Sequence, residues 1–588
     1  MLKRTFLLSA VIFTLSASLC LGWVESFRSV SSGNLFYGDF DNDLDPIYIW
    51  DNDGYRLYST LSNLSSSTDR FISNANNGVY LFGTSGNFKI PEVAGWKSRS
   101  MLVVELADYR DDDSTSLDTD WNGFSDIFGQ GYLSGNWVIN YDDDDDGAFD
   151  RKLNISTSSD NFDLLKRRDW AFVHCYKRDD IRIGLSISHR GFGNNYSENN
   201  RSSGLFNNTM PTHNFSYSYN MVETTEPASD VTVIETETGN FKSTSNAPAN
   251  IFNLAIEAPF YLIPNSELRF DIIYEKRTDE SKIDDSYYRF SDDQSFPDSA
   301  DWTRRTESVI VDSVQNGSIF TPQIRLTKHW NKKTYSWFDL SYGFGSFDAN
   351  MVFADRYDFR SETGNLSDTA VSTRDYDYLI SQSGETKHRN FGIYHKTAVN
   401  FTENFTFSAG MRYNLISYKT DWVADSSRII RRVFDNGDGV DDASDTTLYS
   451  LTSSIKFNLV DETKYKIFNL PVAMEYSYKR WTFRFGAEHT IFKTTNTQNY
   501  NVTEATQTQR IITLGDGTSD TTYYDDEYLS TGESTESKTS STNFVYGLEF
   551  RANDHLKVEL LQYMASANTD ILNTDFYRQF RISLTVLF

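Results

Sequence analysis

The sequence predicts an all-β chain that closes as a transmembrane antiparallel up-and-down β-barrel of about 14 strands, with 16 as the next count, and with long extracellular loops. Three observations predict it: a period of two recurring in stretches of about ten residues, an alternation of short and long connections, and a last residue, Phe588, that ends an alternating strand.

"MLKRTFLLSAVIFTLSASLCLG" places Lys3 and Arg4 before a mostly apolar run from Phe6 to about Ala17, followed by small residues. This is the three-part pattern of a secretory signal peptide over residues 1–22, with cleavage expected after Gly22; lipidation of Cys20 is the weaker reading, because Leu19 before it fits a lipoprotein poorly. Export leaves Cys175 as the one remaining cysteine, so intrachain disulfides are not expected to hold the fold. No later apolar run approaches the roughly 18 residues of a membrane-spanning helix.

The chain has 588 residues, 10 prolines and no Pro-rich or Gly/Ser-rich hinge, which points to one repeated architecture rather than several soluble domains. In "IRIGLSISH", Ile181, Ile183, Leu185 and Ile187 alternate with Arg182, Gly184, Ser186 and Ser188. Phe405, Phe407, Ala409, Met411, Tyr413 and Leu415 alternate with Thr406, Ser408, Gly410, Arg412 and Asn414. The same two-residue period runs through 268–275, 481–488 and 543–551. A soluble sandwich alternates too, so the connections decide between them. Turns at 177–180, 400–404, 478–480 and 551–555 are short, whereas the polar stretches near 110–168, 191–248, 278–317, 347–388 and 495–540 read as long loops. Soluble domains rarely carry so many long loops, while membrane barrels alternate tight turns with long ones.

Counting back from Phe588 gives strands near 99–109, 169–178, 181–190, 249–260, 268–277, 318–328, 334–346, 389–401, 405–418, 467–478, 481–493, 541–551, 555–565 and 576–588. The span 446–459 reads as a further strand or a loop ribbon. Residues 23–98 form an N-terminal segment, expected as a small plug or a periplasmic cap, with 79–90 as an alternative extra strand; 99–588 is the barrel. Tyr and Trp at strand ends, among them Trp170, Trp337, Tyr342, Tyr413, Tyr478 and Trp481, suit interfacial girdles. The mean hydropathy of -0.51 is compatible with this reading, since only one face of each strand needs to be apolar.

The ending "FRISLTVLF" sets Phe580, Ile582, Leu584, Val586 and Phe588 against Arg581, Ser583 and Thr585. With the signal peptide and the strands, it resembles the bacterial outer-membrane β-barrel class, of porin or transporter type, in the Gram-negative cell envelope. The resemblance implies that Phe580, Ile582, Leu584, Val586 and Phe588 form the signal read by the barrel-assembly machinery, and that outer-membrane lipid and lipopolysaccharide surround the protein. Fourteen strands behind an N-terminal segment are distantly similar to the long-chain fatty-acid transporter class, although the Asn-Pro-Ala hatch motif is absent. The segment 23–98 is too small for the plug of an energy-coupled siderophore receptor, and no coupling box follows the cleavage site.

The inward positions expected to line a pore are Arg182, Arg269, Asp271, Arg325, Asp339, Arg412, Arg484, Glu488, Glu549 and Arg551, with Glu257, Glu275, Lys396, Glu475, Lys557 and Glu559 on the same faces. They would either tune a polar pore or pair across strands to hold the barrel shut. The net charge of -27 argues against nucleic acid as a partner. Asp435, Asp438, Asp441 and Asp442 surround two glycines, an oxygen-rich turn suited to Ca2+, against the plainer reading of a solvated loop; the run Asp142–Asp146 reads as solvated. No other cofactor is expected. Catalytic motifs of hydrolases, metalloproteases and nucleotide-binding proteins are absent from the sequence, so the chain is not expected to be an enzyme. The leading function is a channel or transporter for small solutes or hydrophobic molecules, and the second is a surface-interaction barrel.

Overall fold

The computed structural model describes residues 27–33, 35–51, 54–62, 79–88, 95–111, 135–141, 151–190, 212–225, 231–246, 248–293, 301–365, 368–435, 447–513, 519–524, 531–564 and 580–588. Their strands are β1 (Tyr55–Ser62), β2 (Val79–Phe88), β3 (Lys97–Asp111), β4 (Gly135–Tyr141), β5 (Arg151–Arg178), β6 (Ile181–Arg190), β7 (Thr212–Thr225), β8 (Val231–Asn246), β9 (Ala249–Pro259) and β10 (Ser266–Asp293). There follow β11 (Asp301–Asn331), β12 (Thr334–Asn365), β13 (Asp368–Asn400), β14 (Phe405–Asp435), β15 (Thr447–Tyr478), β16 (Trp481–Thr513), β17 (Ser519–Tyr524), β18 (Thr531–Asn553), β19 (Leu556–Met564) and β20 (Phe580–Leu587).

Every pairing is antiparallel, and sixteen of the strands pair in a cycle: β1, β2, β3, β5, β6, β9, each of β10 to β16, β18, β19 and β20, which returns to β1. The seam between the chain's two ends is made by Leu57 opposite Val586 and by reciprocal backbone bonds between Tyr55 and Phe588. A ring leaves no unpaired edge, which is what a sheet surrounded by hydrocarbon requires. The four remaining strands belong to one end of the ring. There β7 and β8 stand between β5 and β10, above the short β6 and β9, while β4 and β17 pair with the far ends of β5 and β16.

The fourteen strand spans read from the sequence all fall on ring strands, and β1 and β2 bring the ring to sixteen. Two corrections follow. The boundary at residue 98 lies too far along the chain, because β1 and β2 belong to the wall. The fourteen-strand count that carried the likeness to fatty-acid transporters therefore does not hold.

A third correction concerns the long loops. Much of what read as loop is strand: β12 and β13 run 32 and 33 residues and pair from Thr334 opposite Val399 to Asn365 opposite Asp368. At about 3.3 Å per residue, such a strand is roughly 100 Å long, several times what a bilayer core needs. The span 446–459 is likewise the upper part of β15.

The reason these lengths were hidden is a change of phase. On β12, Phe338, Leu340, Tyr342 and Phe344 point outward and are exposed, with Asp339 and Gly343 buried between them. Beyond Gly345, with alternation unbroken, the outward positions are Ser346, Asp348 and Asn350, and the inward ones are Phe347, Ala349, Met351 and Phe353, all buried. On β14 the exposed Phe407 and Met411 give way to exposed Lys419, Asp421 and Asp425, while Ile416, Tyr418, Trp422 and Ala424 turn inward. The molecule therefore has a lower zone, near the short turns, that is apolar outside, and an upper zone that is apolar inside.

The outward apolar belt of the lower zone continues around the ring through Leu102, Ile187, Phe252, Ile272, Ile324, Leu340, Met411, Val472, Phe483 and Tyr546, all exposed. Water does not tolerate a continuous apolar surface of this extent, and hydrocarbon does. In the upper zone, Val311, Ala349, Met351, Phe353, Ile380, Trp422, Ala424, Phe457 and Leu459 pack into one buried cluster. At the short-turn end, two-residue turns begin with Asp179 (φ 54) and Lys479 (φ 56) in the left-handed region.

Candidate functional site

Inside the lower zone lies the segment before β1. It contains short helices at Phe27–Val30 and Asp39–Leu44 and a 3-10 turn at Tyr48–Asp51. It is folded on itself: the Ser29 hydroxyl donates to the Asp41 carboxylate at 2.6 Å, the Gly38 N–H donates to the same oxygen at 2.6 Å, and Asp45 accepts from the N–H groups of Ile47 and Tyr48. A helix of four or six residues has little stability alone, so the wall must hold it. Leu35, Ile47 and Ile49 are fully buried, and Ile49 packs on Met101, Val103, Ala171, Val173 and Cys175 of β3 and β5.

The inward charged residues of the wall supply the rest. Arg28 donates twice to Glu475 at 3.0 and 2.8 Å, and to the carbonyl of Tyr37. Glu475 also accepts from Arg484 at 2.8 Å, and Arg484 reaches Glu549 and, at 2.8 Å, Glu559. On the other side of the lumen, Arg269 grips both oxygens of Asp45 at 2.9 Å while bonding Asp271 at 2.7 and 2.8 Å. Arg325 makes a two-pronged bond to Asp339 and lies 4.6 Å from the centre of the Trp337 ring, on which Tyr48 stacks. The buried Lys396 donates to the carbonyl of Leu35 at 3.1 Å and sits over the rings of Trp337 and Tyr37. Arg99 bonds the carbonyls of Ile49 and Trp50 at 3.0 and 2.6 Å. Buried charges are tolerable when each is paired and hydrogen-bonded, as most of these are.

Glycines mark where the segment's backbone meets the wall. A Cβ on Gly486 would lie 2.1 Å from the carbonyl oxygen of Ser31, one on Gly184 2.4 Å from that of Pro46, and one on Gly410 2.9 Å from Leu35. No side chain fits at the first two without moving the backbone opposite.

Of the ten residues expected to line a pore, Arg269, Asp271, Arg325, Asp339, Arg484, Glu488 and Glu549 are buried inside the ring. Arg182 approaches Glu257 at 3.8 Å, Arg412 lies over the Tyr394 ring, Glu488 accepts from Asn469, and Arg551 donates to Glu549 at 2.7 Å. Those around Arg269, Arg325 and Arg484 are brought together around the N-terminal segment. One girdle assignment is corrected: Trp337 faces inward, because Phe338 and Leu340 on either side of Asp339 face outward. Tyr342, Tyr478, Trp481 and Trp170 are exposed, as a girdle requires. Arg28, Asp45 and Arg99 were not foreseen as site residues, and the glycines on the polar face were the available signal.

Within the terminal strand, Ser583 and Thr585 are buried and Phe588 is exposed, while the side chains of Phe580 and Ile582 lie outside the described residues. The signal peptide, Asp142–Asp146, Asp438, Asp441 and Asp442 also lie outside them, as does the side chain of Asp435 at the end of β14. Among the described residues, no group of three His, Cys, Asp or Glu side chains is placed to hold a metal ion.

In the upper zone, a cleft of about 600 Å³ is lined by Tyr287, Arg356, Tyr357, Asp358, Tyr376 and Arg431, among others. The Arg305 guanidinium lies 5.4 Å from the ring centres of Tyr287 and Tyr357. Burial, helped by the charge of Asp355, raises the Tyr376 hydroxyl above its ordinary range.

The class that fold and site define is an antiparallel β-ring with an apolar outer belt and a short internal plug. Neither a family description nor a curated protein matches the sequence. Among solved structures, the chain is similar to the ferric enterobactin receptor of Pseudomonas aeruginosa (10% identity over 91% of this chain and 81% of that one, TM-score 0.24). It is similar as well to the siderophore receptor PiuA of Acinetobacter baumannii (8%, 91% and 82%, TM-score 0.23) and the FrpB iron transporter of Neisseria meningitidis (10%, 91% and 82%, TM-score 0.26). At such identities and TM-scores these likenesses carry no assignment of family or cargo.

Proposed function

We propose that the chain is an outer-membrane β-barrel channel or transporter whose lumen is obstructed at rest by residues 27–51, and that solute passes when this segment is displaced or rearranged. The observation that supports the reading is the anchoring of the segment to opposite walls, by Arg28 on Glu475 and by Asp45 on Arg269, within the zone that carries the outward apolar belt. The wall behind the segment is polar and carries both signs of charge, which favours a small polar solute over a hydrophobic one.

The test is conductance of the refolded full chain in planar bilayers. The native protein is expected to insert without stable current steps, and Arg28→Ala combined with Asp45→Asn to give steps of defined size. Native steps as large as those of the variant would overturn the plugged reading. Failure to need detergent, or unchanged gel mobility on heating, would overturn the membrane reading itself.

A second reading, a surface-interaction barrel, is favoured by the upper zone, which is a folded wall with a tyrosine- and arginine-lined cleft rather than a set of loops. Calcium at Asp435, Asp438, Asp441 and Asp442 belongs to this reading as a proposal, and unchanged protease resistance of 436–446 on chelation would count against it.

A further inference from the structure

The outward face carries a second feature at the level where the belt ends. On the wall from β13 to β18, the last outward apolar residues include Phe391 and Leu415, and basic residues follow at once. Register places Leu415 opposite Lys466, Lys466 opposite Lys493, and Lys493 opposite Lys538, so three lysines stand side by side on β15, β16 and β18. One step higher, Arg389 on β13 and Lys464 on β15 flank Ser417, and above them Lys387 is directly opposite Lys419.

Neighbouring strands lie about 4.8 Å apart, so these side chains leave the sheet as near neighbours of like charge. Such pairs destabilise a sheet unless counter-charges intervene. Three of the seven have acidic partners: Lys419 with Asp421 at 3.1 Å, Lys464 with Glu462 at 2.8 Å and Lys493 with Glu536 at 2.6 Å. Lys387, Arg389, Lys466 and Lys538 are exposed and have no ion-pair partner among the described residues. In a chain with 82 acidic and 55 basic residues, seven cations in three successive outward rows of five adjacent strands run against the overall balance. Apolar residues directly below and unpaired cations directly above form a surface complementary to one kind of molecule: an acyl chain joined to an anionic headgroup.

We propose that this face is a binding site for a phosphorylated lipid of the surrounding leaflet, its acyl chains against Phe391, Leu415 and the residues below them, and its phosphates among Lys466, Lys493, Lys538, Arg389 and Lys387. The inference rests on the membrane reading above and adds a specific lipid contact to it. Phosphate oxygens between the lysines replace repulsion by charge-assisted hydrogen bonds. The lipid is thereby part of what holds β13 to β18 in register.

The experiment places the refolded full chain in nanodiscs of phosphatidylcholine containing a minor fraction of bisphosphorylated lipid A, and counts co-purifying lipid by mass spectrometry after transfer to neutral detergent. Inorganic phosphate is run as a competitor. The native chain is expected to retain lipid A at least tenfold over phosphatidylcholine, and Lys466→Gln with Lys538→Gln to lose most of that retention. Lys456→Gln, an exposed lysine higher on β15 paired with Glu504, should retain it unchanged. In neutral detergent without lipid, the Lys466→Gln, Lys538→Gln variant should melt at a higher temperature than the native chain, because the repulsion has been removed. Equal retention of both lipids by the native chain, or equal losses in the double variant and the Lys456→Gln control, would overturn the proposal. Displacement of lipid A by millimolar phosphate would overturn it too, as the mark of a free-anion site. Insertion without lipid preference leaves the membrane reading standing, whereas failure to insert into any disc overturns that reading as well.

Discussion

The lower and upper zones are built from the same strands, with the same alternation and ladder, yet they solve opposite problems. On β12, Leu340 faces out and Asp339 faces in; seven positions further along, Phe347 faces in and Asp348 faces out. A strand has no means of its own to choose which face is apolar, so the surroundings decide. Where the outer neighbour is hydrocarbon, apolar side chains leave the lumen and charged ones fill it, which is what allows a network such as Arg269 with Asp45 and Asp271 to hold a plug. Where the outer neighbour is water, the apolar side chains return to the inside and pack, as Phe353, Trp422 and Phe457 do. The phase change near residue 345 of β12 is thus a physical boundary written in the sequence, and the lysines of β15, β16 and β18 sit at that boundary on the outer face.

The largest expected effect comes from treating the upper zone as a core. Trp422→Ala truncates a buried side chain in the cluster and is expected to cost about 3–5 kcal/mol in urea unfolding. The inward Ser341→Ala in the lower zone should cost well under 1 kcal/mol. If the two cost the same, the upper interior is not a packed core. A smaller effect tests the outer face: Leu340→Lys should destabilise the barrel in lipid by about 2–4 kcal/mol, whereas Asp348→Lys, outward on the same strand, should be near neutral. Measured in detergent-free bilayers by denaturant titration, equal costs would mean that the boundary does not lie between these residues.

The same phase change explains what was legible beforehand. Spans such as 405–418 and 481–493 could be read because one face is uniformly apolar over ten or more residues, and every span read this way lies on the ring. The halves beyond them read as loops: Phe347, Ala349, Met351 and Phe353 alternate as regularly as Phe338, Leu340, Tyr342 and Phe344, but in the opposite phase, and outward Asp and Ser lower the average. β1 escaped because "YRLYSTLS" carries polar residues at both parities. For residues 23–98 the sequence offers a small plug or a periplasmic cap, without the contacts that hold the segment. Its anchors join residues as far apart as Arg28 and Glu475, 447 positions along the chain, and no local pattern records such a partner. Gly184, Gly410 and Gly486 did stand on the polar face in the sequence, and their meaning as contact points emerges only when Pro46, Leu35 and Ser31 are seen opposite them.

Inward carboxylates of both zones pair with arginine, and one of the upper zone does not. In the lower zone Asp271, Asp339 and Glu549 each have an arginine, and in the upper zone Asp279 has Arg277. Asp461 of β15 faces inward in the upper zone, partly buried, with no cation beside it; desolvation pushes its pKa up to about 6, and a hydrogen bond from Gln498 only partly opposes this. The ordinary value is 3.8, so between about pH 4 and pH 6 the folded chain holds a proton that the unfolded chain has released. Stability contributed at this position is therefore intact below pH 4, falls as pH rises through 6, and stays lost above it. Asp461→Asn cannot ionise: it should match the native protein at pH 4 and exceed it at pH 7, by on the order of 1–3 kcal/mol. Urea midpoints at the two pH values measure this directly. A variant that gains nothing at pH 7 would mean that water or a cation reaches Asp461, and that the inward face of the upper zone is wetter than its apolar packing implies.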